Sequence, residues 1–197
     1  MIGNILHNFL GHKKIKTSLD DQTKNMLLAA AGSYGGEICD YLLQYTSTKE
    51  EKFMVSIKTG AFGIAIVAYF YTTEYCHNLA PLVLANELFD TYKNFYTDVN
   101  QVNKQARDAL NNFMDQDGKT LLPTTIGAIL CNEADPDKTH WTLSRVLYQS
   151  IREGCMINEI SNFKLEKEQI NGIQEKIRTS YDPLRASIGY FIEQSKS

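Results

Sequence analysis

The chain has 197 residues, of which 43% are hydrophobic and 22% are charged, and its formal net charge is −3 at pH 7. This composition excludes a largely disordered protein, and the length suits one domain that can bury a substantial core. So small a net charge creates no field that would indicate binding to nucleic acid or to an anionic membrane.

Residues 1–17 are predicted to form an N-terminal arm that precedes one helical domain of residues 18–197. Apolar side chains within residues 1–10 come before the basic cluster of residues 12–16, which is the reverse of the order in a secretory signal. The four cysteines are far apart and form no C-x-x-C pair. We therefore expect reduced cysteines and a cytoplasmic protein.

Apolar residues at alternating steps of three and four predict the first three helices. They are Leu27, Ala31, Tyr34, Ile38 and Tyr41, then Met54, Ile57, Ala61, Ile64 and Ala68, then Leu82, Ala85, Phe89, Tyr92 and Tyr96. Because residues three and four apart share one side of a helix, each stretch has an apolar seam to bury. The predicted helices cover residues 20–45, 49–77 and 81–115, and a break of the third helix near Asp98 is the alternative.

The remaining helices are predicted from capping and breaking residues. Asp135-Pro136 and Asp182-Pro183 each resemble an N-cap followed by proline at the first helical position, while Asp117-Gly118 is typical of a helix end. These signals predict helices over 136–153, 165–180 and 183–194, with a shorter one near 124–132. The fold class is therefore all-α: an antiparallel bundle of three long helices closed by a fourth, with two further C-terminal helices.

The first two predicted helices form an antiparallel hairpin if the chain turns back at residues 48–49. Ile38 then faces Ala61, and Ala31 faces Ala68. Small residues at these levels would allow the two backbones to approach closely.

The most apolar segment, residues 60–71, lies in an uncharged run from Thr59 to Thr73. A membrane span needs about 20 apolar residues, so this shorter run predicts a buried core helix and no stable span. Membrane association through opening of the hairpin is a third functional hypothesis. It ranks after the two hypotheses described next.

A cluster of aromatic residues near the shared turn of the second and third helices supports the leading functional hypothesis. Tyrosine-rich surfaces are typical of protein interfaces, and the sequence has neither a phosphate-binding loop nor a nucleophile motif. We therefore expect a non-enzymatic interaction protein without a cofactor that binds a protein partner or itself. The candidate contact residues are Tyr71, Tyr75, Tyr92, Phe95 and Tyr96.

The alternative is a metal-dependent helical-bundle enzyme. Glu74 and His77 have the i, i+3 spacing of carboxylate and imidazole ligands in such bundles. Asp20, Asp21 and Glu87 would complete a site at the same end of the bundle. However, acidic residues also favour helix N-termini and histidine favours C-termini, and this capping interpretation is preferred.

A second group of candidate ligands, Glu133, Asp135, Asp137 and His140, surrounds the predicted start of the helix at Pro136. Carboxylates and imidazole could bind a divalent cation or act as acid and base. A capped helix start explains the same residues more simply, with Asp135 as the cap and Asp137 in the first turn.

Overall fold

A computed structural model describes residues 19–99 and 104–195, and the predicted arm of residues 1–17 lies outside the described residues. The described residues form helices and no strand, which confirms the all-α prediction. The helices are α1 (Asp21–Leu43), α2 (Lys49–Glu74), α3 (Pro81–Val99), α4 (Lys104–Asn132), α5 (Pro136–Ile157) and α6 (Lys167–Ser195).

Short-range side-chain contacts determine where three of these helices begin. The Asp20 carboxylate accepts a hydrogen bond from the Thr23 backbone N–H, and Asp135 accepts one from the Lys138 backbone N–H. Thr48 caps α2 by accepting from the backbone N–H of Glu51, whose carboxylate accepts from the backbone N–H of Thr48 in return. Each contact satisfies backbone donors that have no partner within the helix.

The most apolar helix, α2, lies at the centre of the bundle. It contacts each of the other five helices, which surround it in the order α1, α6, α5, α4, α3. Twelve consecutive residues of α2, from 61 to 72, are buried. The predicted core helix is thus buried on all sides, and this explains why its apolar residues do not keep to one seam.

The hairpin of α1 and α2 is antiparallel as predicted, but its register differs by about one helical turn. A Cβ atom added at Gly35 would lie 2.6 Å from the Thr59 carbonyl oxygen, and one at Gly63 would lie 2.5 Å from the Ala31 carbonyl oxygen. Ala31 therefore lies beside Gly63 instead of Ala68. Glycine at both positions allows the two backbones to touch.

The predicted third helix, 81–115, is wrong: α3 ends at Val99 and α4 begins at Lys104. The two helices are antiparallel neighbours, since Lys93 of α3 forms an ion pair with Asp115 of α4 and Phe89 lies against Gly118. The alternative of a break near Asp98 is closer to the structure. Gly118 lies inside α4 and does not end a helix. A glycine is needed there for packing, since a side chain at this position would collide with the Phe89 ring.

The prolines within α4 and α6 do not separate helices. Pro123 lies inside α4, which joins the predicted segment 124–132 to the residues before it. Pro183 lies inside α6, so the two C-terminal helices predicted at 165–180 and 183–194 are one. A proline removes one backbone hydrogen bond, and burial of apolar residues on both sides of Pro183, including Ile177 and Leu184, keeps the helix continuous.

Candidate binding groove

Five helices surround α2, and neighbouring helices of this ring contact one another. The contact between α1 and α3 is the least extensive of these, because the two helices meet over only a short stretch. These two helices run parallel on the same side of α2 and are bridged by an ion pair between Lys24 and Glu87, with 2.6 Å between the charged atoms. Beyond this ion pair lies a groove of about 370 Å³. Part of the central helix forms its floor, at Gly60 and Ile64.

One wall of the groove is formed by α1 residues with small or short side chains. Ala29 and Gly32 are exposed there, and Leu28 is half-buried beside them. Among the described residues, and apart from the nearby backbone of α1 itself, no atom lies within 4 Å of a Cβ atom added at Gly32. This wall is therefore low and open, and a second helix could approach its backbone closely.

The opposite wall is formed by aromatic residues of α3. Phe95 is 66% exposed, which is unusual for a phenylalanine in a bundle with a large core. Tyr92 is half-buried and its hydroxyl lies over Gly60, where a Cβ atom would be only 2.6 Å away. The Tyr92 hydroxyl is uncharged at neutral pH, and burial raises its pKa further above the ordinary value. None of the residues lining the groove in the described part of the chain is charged.

The structure brings two of the five predicted contact residues, Tyr92 and Phe95, together in the groove. Tyr96 is half-buried, and its ring centroid lies 5.8 Å from that of Phe53 on α2 and 5.9 Å from that of Tyr92. Tyr71 is only 8% exposed and belongs to the core. Tyr75 is exposed at the other end of α2, where its hydroxyl lies close to Gly189 of α6.

The structure does not bring the five residues of the alternative metal site together. Asp20 caps α1, Glu74 pairs with Arg185 of α6 and Glu87 pairs with Lys24. His77 and Asp21 are exposed. Across residues 19–99 and 104–195, no three His, Cys, Asp or Glu side chains gather in a way that could hold a metal ion.

The second group of candidate ligands is likewise divided among structural contacts. Glu133 accepts a hydrogen bond of 2.7 Å from the Tyr69 hydroxyl, and Asp135 caps α5. His140 is 7% exposed and its ring packs edge-on against Tyr181 of α6, with 5.0 Å between the centroids. Within the described part of the chain, neither of its ring nitrogens has a hydrogen-bond partner.

The burial of His140 makes stability depend on pH. Burial lowers the pKa of His140 below its ordinary value of 6.5, assisted by the positive charge of Arg178 and opposed by the carboxylates of Asp137 and Asp182. At pH values between the lowered pKa and 6.5, the unfolded chain therefore binds a proton that the folded chain does not. The contribution of His140 to the free energy of unfolding is therefore fully present above pH 6.5. It decreases as the pH falls from 6.5 towards the lowered pKa of the folded state.

We expect His140→Phe to reduce the loss of stability in mild acid, because phenylalanine can occupy this apolar contact and cannot be protonated. The measurement is the urea midpoint of each protein at about pH 7.5 and about pH 5.5. The exposed His77, changed to glutamine, is the control and should leave the wild-type pH dependence in place. An unchanged pH dependence in His140→Phe would contradict the prediction.

By length and composition, α2 could cross a membrane, and it alone among the described helices passes that test. Its most apolar window is 83% buried inside the bundle. Central helices of water-exposed bundles share these properties, so this feature agrees with the predicted core helix.

Comparison with known proteins gives no relative: no family model, no curated protein and no solved structure matches this chain. The groove therefore has to be interpreted from its own shape and chemistry.

The α1 wall and the floor of the groove do not follow from the aromatic pattern of the sequence. Ala29, Gly32 and Gly36 lie three and four residues apart on α1, outside the seam that faces α2. This row of small residues is a signal that could have indicated a second contact surface. Small residues lack the bulk of typical interface residues, so the composition of the sequence indicates only the aromatic wall.

Proposed function

We propose that this protein is a non-enzymatic interaction module that binds an amphipathic helix of a protein in the groove between α1 and α3. The observation that carries the proposal is the uncharged groove itself, which has an exposed phenylalanine, Phe95, on one wall and a glycine, Gly32, on the other. Grooves that bind helices commonly combine an apolar floor with a few large anchoring side chains.

A helix suits this groove better than a small polar substrate does. Ala29 and Gly32 permit close approach of a backbone along the axis of α1. The hydroxyl and amide groups available, from Tyr92, Asn25 and Thr91, carry no charge with which to activate a substrate. This chemistry favours binding over catalysis.

The proposed contact surface includes only some of the aromatic residues that the sequence predicts as contact residues. Tyr92 and Phe95 remain as contact residues, and they are joined by Leu28, Ala29 and Gly32 of α1. Burial of Tyr71 removes it from the proposed contact surface.

The test is selection from a phage-displayed library of amphipathic helical peptides on the immobilised protein. We expect enriched peptides that become helical on binding and lose affinity by about tenfold or more when Phe95 is changed to alanine. Phe95→Ala should leave thermal stability unchanged, since the side chain is largely exposed. Phe191→Ala on α6 is the matched control, because Phe191 is also an exposed phenylalanine but does not line the groove.

A second variant, Gly32→Trp, fills the groove from the opposite wall without disturbing the core, since the space beside Gly32 is open. Peptides selected on the wild type should not bind it. The proposal fails if the library yields no helical binders, or if the binders tolerate both Phe95→Ala and Gly32→Trp.

A further inference from the structure

The outward side of α5 carries two arginines between two exposed apolar residues. Trp141 and Met156 are each 50% exposed, and Arg145 and Arg152 lie half-buried between them. The four residues are four, seven and four positions apart, so they share one side of the helix over about 22 Å. This α5 surface lies away from the groove, because α5 contacts α2, α4 and α6 but, among the described residues, neither α1 nor α3.

Both arginines lack an acidic partner within the described part of the chain. Neither forms an ion pair there, and neither buried Nε atom has a hydrogen-bond partner. The acidic residues of α5 interact elsewhere: Glu153 accepts a hydrogen bond from Gln149, and the charge of Asp137 acts on Arg178 of α6. Because a buried donor without an acceptor costs free energy, the two guanidinium groups favour a ligand that supplies acceptors.

Two contacts hold this surface in place before any ligand binds. The guanidinium carbon of Arg145 lies 5.2 Å from the centre of the Trp141 ring, which is a cation–π contact. Tyr148, on the same side of α5, accepts a hydrogen bond of 3.3 Å from the backbone N–H of Leu165, just before α6. Preorganised side chains on a rigid helix lose little conformational freedom when a partner binds.

We infer that the α5 surface binds an acidic helix of a partner protein, independently of the groove. Arginine pairs with carboxylates through two parallel hydrogen bonds. Seven residues of a helix rise about 10 Å, so a helix lying along α5 can present two carboxylates with the same spacing to Arg145 and Arg152. Apolar residues four positions beyond each carboxylate reach Trp141 and Met156. The symmetrical spacing suits a partner helix that runs in either direction.

The same features favour a protein over a single anion or a nucleic acid. Since both Nε atoms are buried, each guanidinium group stays near its own turn of α5, and one phosphate group does not bridge about 10 Å. Nucleic-acid surfaces depend on many basic residues, whereas α5 has three: Lys138, Arg145 and Arg152. Tryptophan and arginine are also the residues that most often dominate the energy of protein interfaces.

The experiment measures fluorescence anisotropy of labelled alanine-rich peptides with the full chain. The probe peptide carries leucine, glutamate, glutamate and leucine, separated by four, seven and four positions. One control peptide has glutamine in place of both glutamates, and another has the glutamates on opposite sides of the helix. We expect the probe to bind at least about tenfold more tightly than either control, and less tightly as salt is added.

Variants of the protein locate the binding site. Arg145→Gln and Arg152→Gln should each weaken binding of the probe by about tenfold. Arg178→Gln is the matched control and should have no effect, since Arg178 is an exposed arginine that pairs with Glu175. Urea midpoints show whether each variant is folded. Where a glutamine variant is not, lysine at the same position keeps the charge but not the paired hydrogen bonds, and should weaken binding by about threefold.

The inference is wrong if the glutamate and glutamine peptides bind equally, or if neither arginine variant changes the affinity. It is also wrong if a single-stranded oligonucleotide displaces the probe and binds more tightly through the same arginines, because the surface then recognises nucleic acid. Gly32→Trp distinguishes this site from the groove. It should leave binding of the acidic probe intact, and the helices selected for the groove should bind Arg145→Gln as tightly as the wild type.

Discussion

Asp117→Ala should lower the free energy of unfolding by about 3–5 kcal/mol, because it leaves a buried ammonium group without its counter-charge. Lys58 of the central helix is 3% exposed, and its Nζ pairs with the Asp117 carboxylate of α4. The lysine side chain also lies against Gly154 of α5, so it joins three helices in the core. Urea denaturation of wild type and variant measures the difference.

A double variant shows whether the cost comes from the unpaired charge. Lys58→Met with Asp117→Leu replaces both charges by apolar groups of similar size, and it should recover most of the lost stability. Glu175→Ala is the surface control, since Glu175 forms an exposed pair with Arg178. It should leave the urea midpoint unchanged. If Asp117→Ala lowers the free energy of unfolding no more than the surface control does, the ion pair with Asp117 is not required to keep Lys58 buried, and the prediction is wrong.

The helix starts were predictable from sequence because their causes are local. Thr48 and Glu51 satisfy each other's backbone donors within one turn, and Asp135 with Pro136 forms a complete start signal in two adjacent residues. Such contacts involve only neighbouring residues, so the sequence alone can indicate them. The all-α class followed from the same information together with the apolar periodicity.

The interior boundaries were not predictable because distant packing overrides local signals. Asp117-Gly118 has the composition of a helix end, yet Asp117 is held by Lys58 and Gly118 accommodates Phe89, both of them far away in sequence. At Asp182-Pro183 the cost of one lost hydrogen bond is offset by burial of the apolar residues on either side. A single sequence does not reveal which of these effects is larger.

Of the two walls of the candidate groove, the aromatic wall on α3 was predictable from sequence and the wall on α1 was not. Aromatic side chains indicate interfaces, and two of the predicted contact residues, Tyr92 and Phe95, line the groove. The opposite wall consists of small residues, and composition cannot tell which of Gly32, Gly35 and Gly36 faces the central helix and which faces outward. Their orientation depends on the rotation of α1 about its own axis, and in the structure Gly35 is the one of the three that lies against the backbone of α2.

Two adjacent glycines of α1 give a sharp test of the register of α1 against α2, because alanine should have opposite effects at the two positions. At Gly35 a Cβ atom would lie 2.6 Å from the Thr59 carbonyl oxygen, so α1 and α2 must separate. Overpacking of this kind costs about 1–3 kcal/mol. At Gly36 a Cβ atom would have no described atom within 4 Å beyond the nearby backbone of α1 itself. Gly36→Ala should therefore stabilise the protein by about 0.5–1 kcal/mol through helix propensity.

The two substitutions gain the same helix propensity and differ only in what the new methyl group contacts. The sign of the difference in stability between Gly35→Ala and Gly36→Ala therefore distinguishes the observed register from the predicted one. Urea midpoints of Gly35→Ala and Gly36→Ala provide the comparison. Under the register predicted from sequence, Gly35 would face Ile64 of α2 instead of the Thr59 backbone. A stabilising Gly35→Ala would therefore contradict the backbone contact in the structure. It would also move the α1 wall relative to Tyr92, because Gly32 is less than one turn away from Gly35 on the same rigid helix.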